Sequence, residues 1–191
     1  MKILVLAAYL SPFRGSEFSV AWNYILEMSK ENELTILYGC AGSELGDNSD
    51  LQEWLKSNSL PNVKFEFVKP NIFSRILNWP NKKGYFIYSY FPAYRIWHKT
   101  AYKRAKKLIN NGETYDLIHY LGPIGYREQG YLWKINLPYM RGPMGGLLNT
   151  NKLLLDNTGT KERIHQFIRS ATGYISTKFN RTIRKALIQS M

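Results

Sequence analysis

The sequence predicts an α/β protein, a Rossmann-like parallel sheet with helices on both faces. Short apolar runs recur along the chain, and stretches of helical periodicity separate them. Strands spaced by helices fit a parallel sheet covered on both sides. Two of the runs end in Gly-Pro, at Gly122-Pro123 and Gly142-Pro143. In such sheets ligands bind at the carboxyl ends of strands, where loops leave backbone amides exposed.

Lys2 to Leu10 is the first predicted strand. Its apolar part, Ile3 to Leu10, is too short for a membrane span, and Pro12, Arg14 and Glu17 follow it instead of a cleavage site. Ser16 to Lys30 has Val20, Ala21, Tyr24, Ile25 and Met28 at helical spacing, with Ser16 placed as N-cap. Glu33 to Tyr38 reads as a strand, Asp50 to Asn58 as a short helix, and Val63 to Val68 as a third strand. Asn71 to Gly84 reads as irregular, because Trp79-Pro80-Asn81 and Lys82-Lys83-Gly84 are turn signals. Tyr85 to Asn110 reads as one long helix, or two broken near Pro92. Tyr90, Tyr94, Trp97, Ala101, Ala105 and Leu108 form its apolar stripe, opposite Arg95, Lys99, Lys103 and Lys106. Tyr115 to Leu121 is strand four, a helix is expected around Gly125 to Trp133, and Leu137 to Met140 is strand five. Asn149 to Thr160 reads as loop and Lys161 to Gln189 as helix. A β-α alternation that ends in a helix should feed another strand, so the polypeptide reads as part of a longer one.

At 191 residues, 45% hydrophobic and 15% aromatic, the chain is long enough for one domain with a real core. Its single cysteine, Cys40, excludes an intrachain disulfide and reads as a small buried hydrophobe. His98, His119 and His165 lack metal-ligand spacing, so no metal site is expected. The net charge of +12 is unevenly spread. No acidic residue lies between Glu66 and Glu113, and Glu162 is the only one after Asp156. This asymmetry implies an anionic partner. Phe73, Ile76, Leu77 and Trp79 beside Arg75, Lys82 and Lys83 would suit an anionic membrane interface. The plain alternative is core aromatics under a solvated basic face. The same mixture could stack on nucleic acid, but no recognised nucleic-acid motif is present.

Three places carry candidate chemistry. The loop Ser11 to Glu17 joins the first strand to the first helix, where α/β proteins cradle phosphates or sugars, although a plain capped helix start would look the same. It has neither a Gly-x-Gly-x-x-Gly pattern nor a P-loop Lys-Ser/Thr pair. His119 lies near the end of strand four and could move a proton or bind a hydroxyl or phosphate; a core histidine is the alternative. Arg141 to Gly146 holds three glycines and a proline after an arginine, which exceeds the needs of a tight turn. Arg127 and Glu128 could reach the same rim, or form a solvated ion pair.

Together, Gly15-Ser16-Glu17, Tyr115 to His119, Gly125 to Lys134 and Leu137 to Gly146 resemble the N-terminal domain of family 4 (group 1) glycosyltransferases of the GT-B fold. The resemblance covers essentially the whole chain, and the block from His119 to Gly146 is its most specific part. It implies that residues 1–191 are the acceptor-side half of a retaining enzyme that takes a nucleotide-sugar donor and a saccharide or lipid-linked acceptor. No cofactor or metal is implied. The donor-binding C-terminal domain would lie outside this chain, so these residues alone would not catalyse transfer. Gly15 and Ser16 would line the cleft near the donor phosphates, with Glu17 at the base of the loop. His119 would be the catalytic candidate at the cleft floor, and Gly145 and Gly146 would shape the acceptor side. Arg127 and Arg141 would bind substrate from the rim. Many members carry a second histidine two places after the first, where this chain has Leu121. The implied setting is cytoplasmic, at the inner membrane face, in cell-surface glycan synthesis. The alternative is a non-catalytic membrane-docking subunit of a split glycosyltransferase.

Overall fold

The computed structural model describes residues 1–123, 125–145 and 159–189. Five strands form one all-parallel sheet: β1 (Lys2–Tyr9), β2 (Glu33–Cys40), β3 (Val63–Phe67), β4 (Leu117–Gly122) and β5 (Tyr139–Arg141). Their order is β3-β2-β1-β4-β5, so the chain reverses its direction of travel across the sheet between β1 and β4. The helices are α1 (Glu17–Met28), α2 (Ser49–Leu55), α3 (Ile72–Lys82), α4 (Tyr90–Asn110), α5 (Thr160–Phe179) and α6 (Arg181–Gln189). This is a Rossmann-like α/β fold, as predicted.

Strand pleating sorts the core into two layers. Leu4, Leu6 and Ala8 of β1 point to one side, where Tyr94, Trp97, Ala101 and Ala105 of α4 cover them. Ile3, Val5 and Ala7 point to the other side, against Ala21, Trp22 and Ile25 of α1 and Leu51 of α2. Every residue from Ile3 to Ala8 is buried, which is why this stretch has no polar side chain. The predicted α4 stripe faces the sheet, and its indole anchor Trp97 donates from Nε1 to the Val68 carbonyl at 2.7 Å. Arg95, Lys99, Lys103 and Lys106 stay exposed.

Four expectations need correction. Residues 72–82 are helical, not irregular: the Asn71 side chain caps the Ser74 amide at 2.8 Å, and Pro80 falls near the helix end, where the lost donor matters least. The predicted Lys82-Lys83-Gly84 turn marks the end of that helix, with Gly84 at φ 74°. α4 starts at Tyr90, after a 3-10 turn at Ile87–Ser89, so Pro92 lies in its first turn, where no amide is needed. The region from Gly125 to Trp133 is not an α-helix and holds a 3-10 turn at Leu132–Lys134. The carbonyls that a helix would use, at Gly125, Tyr126 and Glu128, accept from Arg141 instead. The expected C-terminal helix is two helices, because the Asn180 side chain accepts from the Thr182 and Ile183 amides and starts a new one. Most of the expected 149–160 loop lies outside the described residues.

Candidate functional site

The loop after β1 is tied down from below. The Ser11 hydroxyl donates to Asp50 of α2 at 2.7 Å and accepts from the Phe13 amide at 3.1 Å. Arg14 grips the same carboxylate with Nε at 2.6 Å and Nη2 at 3.3 Å. The Arg14 guanidinium first, and the Ser11 hydroxyl after it, hold the Asp50 pKa below the usual carboxylate range. With both ends fixed, the chain turns into α1 through Ser16, the N-cap, at φ 58° and ψ −133°. A non-glycine residue in that region stores roughly 1–3 kcal/mol of strain. The Ser16 hydroxyl does not cap the helix, so the first-turn amides of α1 have no side-chain acceptor at their N-cap.

This strained turn borders a crevice of about 270 Å³ at the carboxyl ends of β1 and β4. Tyr9, Ser16, Glu17 and Val20 line one side, and Leu121, Gly122 and Pro143 the other. It sits where the strand order reverses, the position at which open parallel sheets take their ligands. Its walls are mostly apolar, and its polar groups converge on the α1 end. That combination suits a ligand with an anionic or hydroxylated head.

The predicted site residues do not all meet there. Ser16 and Glu17 line the crevice, whereas Gly15 is exposed and does not line it, with open space where a Cβ would project. His119 lies one pleat below the floor, buried and edge-on to the Tyr24 ring at 4.7 Å. Burial pushes its pKa down to about 4, against a smaller opposing pull from the Gly142 backbone. It is therefore a neutral imidazole at pH 7, with Nδ1 unpartnered among the described residues. Leu121 and Gly122 are the β4 residues that reach the crevice.

The two arginines are engaged elsewhere. Arg141 is buried on the opposite face of the sheet, over the Tyr120 ring at 5.2 Å. Its guanidinium donates to the carbonyls of Gly125 at 2.8 Å, Glu128 at 3.1 Å and Tyr126 at 3.3 Å, and also to the Gln129 side chain. Arg127 donates to the Tyr126 hydroxyl at 2.9 Å and to Thr172 of α5 at 3.0 Å. Glu128 pairs with Arg95. Gly145 bridges to Gly125, which ties the loop after β5 to the loop after β4. Gly146 lies outside the described residues.

Sequence reasoning missed the Asp50 anchor, whose partners are 36 and 39 residues away in the chain. It also passed over Tyr9, Leu121, Gly122 and Pro143 as lining residues, although the strand-end rule could have found them. Among the described residues no group of three or more His, Cys, Asp or Glu could hold a metal ion, and no helix is long and apolar enough to cross a membrane.

Ser16→Gly is expected to raise stability by about 1 kcal/mol, because glycine adopts this backbone freely and offsets only part of that gain through its own entropy. A urea titration checks it. A fall in midpoint would mean that the serine side chain makes a contribution larger than its strain.

No family model, no curated protein and no solved structure matches the chain.

Proposed function

We propose that this chain is the acceptor-binding N-terminal half of a retaining, nucleotide-sugar-dependent glycosyltransferase acting in the cytoplasm on cell-surface glycans. The observation that carries the reading is the crevice between the ends of β1 and β4, with the N-terminus of α1 at one end. It supports a donor phosphate near Ser16 and an acceptor sugar against the Leu121–Pro143 wall. In displacement of a nucleoside diphosphate, negative charge develops on the leaving phosphate. First-turn amides at a helix N-terminus stabilise such charge without reorganising. The donor-binding residues would come from a second domain, and no cofactor is required by the scheme.

The test uses the complete gene product with a panel of nucleotide-sugars and reads nucleoside diphosphate release. Release that depends on an acceptor is expected. Val20→Trp, which fills the crevice from an exposed position, should suppress it without lowering the melting temperature. A protein that binds no nucleotide-sugar in calorimetry and releases no nucleoside diphosphate defeats the reading.

One observation favours a second reading, a non-catalytic subunit of a split glycosyltransferase: Leu121, an inert side chain, faces the crevice, and His119 is sealed beneath it. Activity that appears only when a separate catalytic chain is added would select this alternative.

A further inference from the structure

We propose that α3, the 3-10 turn after it and the first turn of α4 form a docking face for an anionic phospholipid bilayer. The inference stands apart from the glycosyltransferase reading, because it uses none of the crevice residues.

α3 is folded inside out. Its buried side chains are polar, Ser74 and Asn78, one helical turn apart. The Ser74 hydroxyl donates to the Ala93 carbonyl of α4 at 2.8 Å, and Asn78 Oδ1 accepts from the Asn81 side chain at 3.0 Å. Ser and Asn let the two helices approach closely and leave no room for the larger residues between them. The opposite face carries Ile72, Phe73, Ile76 and Trp79, which are between 53 and 68 % exposed. Just beyond the helix, residues 85–88 (Tyr-Phe-Ile-Tyr) are 56 to 75 % exposed. The apolar groups are thus contiguous in the chain and turned to solvent together. A soluble surface rarely leaves such a patch without a partner.

Charge selects the partner. No carboxylate occurs between Glu66 and Glu113. Lys69, Arg75, Lys82 and Lys83 line a groove of about 850 Å³ beside α3. The acids on its far wall are already engaged: Glu44 pairs with Lys82, and Asp47 accepts from Ser43 and Ser49. Lys69, Arg75 and Lys83 have no ion pair among the described residues. Aromatic rings at headgroup depth with cations beside them are the composition of a membrane-interface segment. A protein interface core is depleted in lysine. A second copy of this chain would set like charge against like.

The test is co-sedimentation of the full chain with two vesicles, phosphatidylcholine alone and phosphatidylcholine mixed with phosphatidylglycerol. Binding to the mixed vesicle is expected, weaker on phosphatidylcholine and weakening as salt rises. F73S/W79S should lower affinity about 100-fold, roughly tenfold for each exposed ring withdrawn from the bilayer. R75E/K83E should lower it roughly 30-fold or more, at about fivefold for each cation removed. Both pairs lie on the surface, so unchanged melting curves are expected. A milder variant keeps the test decisive if F73S/W79S misfolds: vesicles should shift Trp79 emission to the blue, and W79F should lose that change while still binding. Three results overturn the proposal: no binding to either vesicle, binding that both double variants retain, or a stable dimer that F73S/W79S dissociates.

Discussion

Lowering the pH from 7 to 5 should remove about 4 kcal/mol of folding stability. Two histidines cause this. His98 is fully enclosed between α4 and the sheet, where burial first, and the nearby Arg141 charge second, push its pKa down to about 3. Burial pushes His119 down to about 4. Both are neutral in the native protein. In the unfolded chain each would titrate near its ordinary value of 6.5. Between 6.5 and the folded values the unfolded state binds more protons, so stability falls as pH falls. At pH 5 the unfolded value lies 1.5 units above the solution, worth about 2 kcal/mol for each histidine. The loss continues until about pH 4 for His119 and about pH 3 for His98. The paired carboxylates act lower: the Ser49 amide chiefly holds Asp47 down to about 2. The window from pH 7 to 5 therefore reports the histidines. Urea midpoints at both pH values check this, and His98→Gln or His119→Gln should each halve the difference. Equal stability at pH 7 and pH 5 would refute it.

Arg141→Leu should cost roughly 1–3 kcal/mol, the range for leaving a buried polar group without its hydrogen-bond partner. The Arg141 guanidinium serves three backbone carbonyls and the Gln129 side chain. The carbonyls keep one further donor each, the Glu128 amide, the Gln129 side chain and the Tyr120 hydroxyl, whereas Gln129 Oε1 loses its charged partner. Arg141→Lys should recover little, since an ammonium cannot span carbonyls spread from Gly125 to Glu128 as a planar fork does. Loss should appear first in residues 125–129, as faster amide exchange there than in β1. Burial is the larger cause of the low His98 pKa, so the loss of stability from pH 7 to 5 should be nearly the same in Arg141→Leu as in the unaltered protein. A much smaller acid loss in Arg141→Leu would show that the Arg141 charge, not burial, keeps His98 neutral.

Both predictions concern residues that the sequence presented differently. Arg141, next to three glycines, read as a substrate contact. Its guanidinium instead replaces the helix that Gly125 to Trp133 promised, by taking the carbonyls such a helix would need. Fidelity of that loop matters for the crevice, since the Gly125–Gly145 bridge holds the two loops beside it together. α3 shows the converse. Its turn signals were real, but they marked its end, and the helix itself was stabilised by the Asn71 cap and by α4.

The order of strands and helices was legible in the sequence alone, because burial on both faces demands nearly unbroken apolar strands, and α4 shows its stripe by period. The position of a crevice at the carboxyl ends followed from the same pattern. Tertiary structure alone decided which way the side chains face. Pleating turns His119 under Tyr24 and brings Leu121 to the crevice, and Arg141 points to the opposite layer. It also decided that α3 would bury serine and asparagine and expose its isoleucines and tryptophan. Local sequence sets the period of an element. Which of its faces becomes the inside depends on the neighbour that arrives from far along the chain.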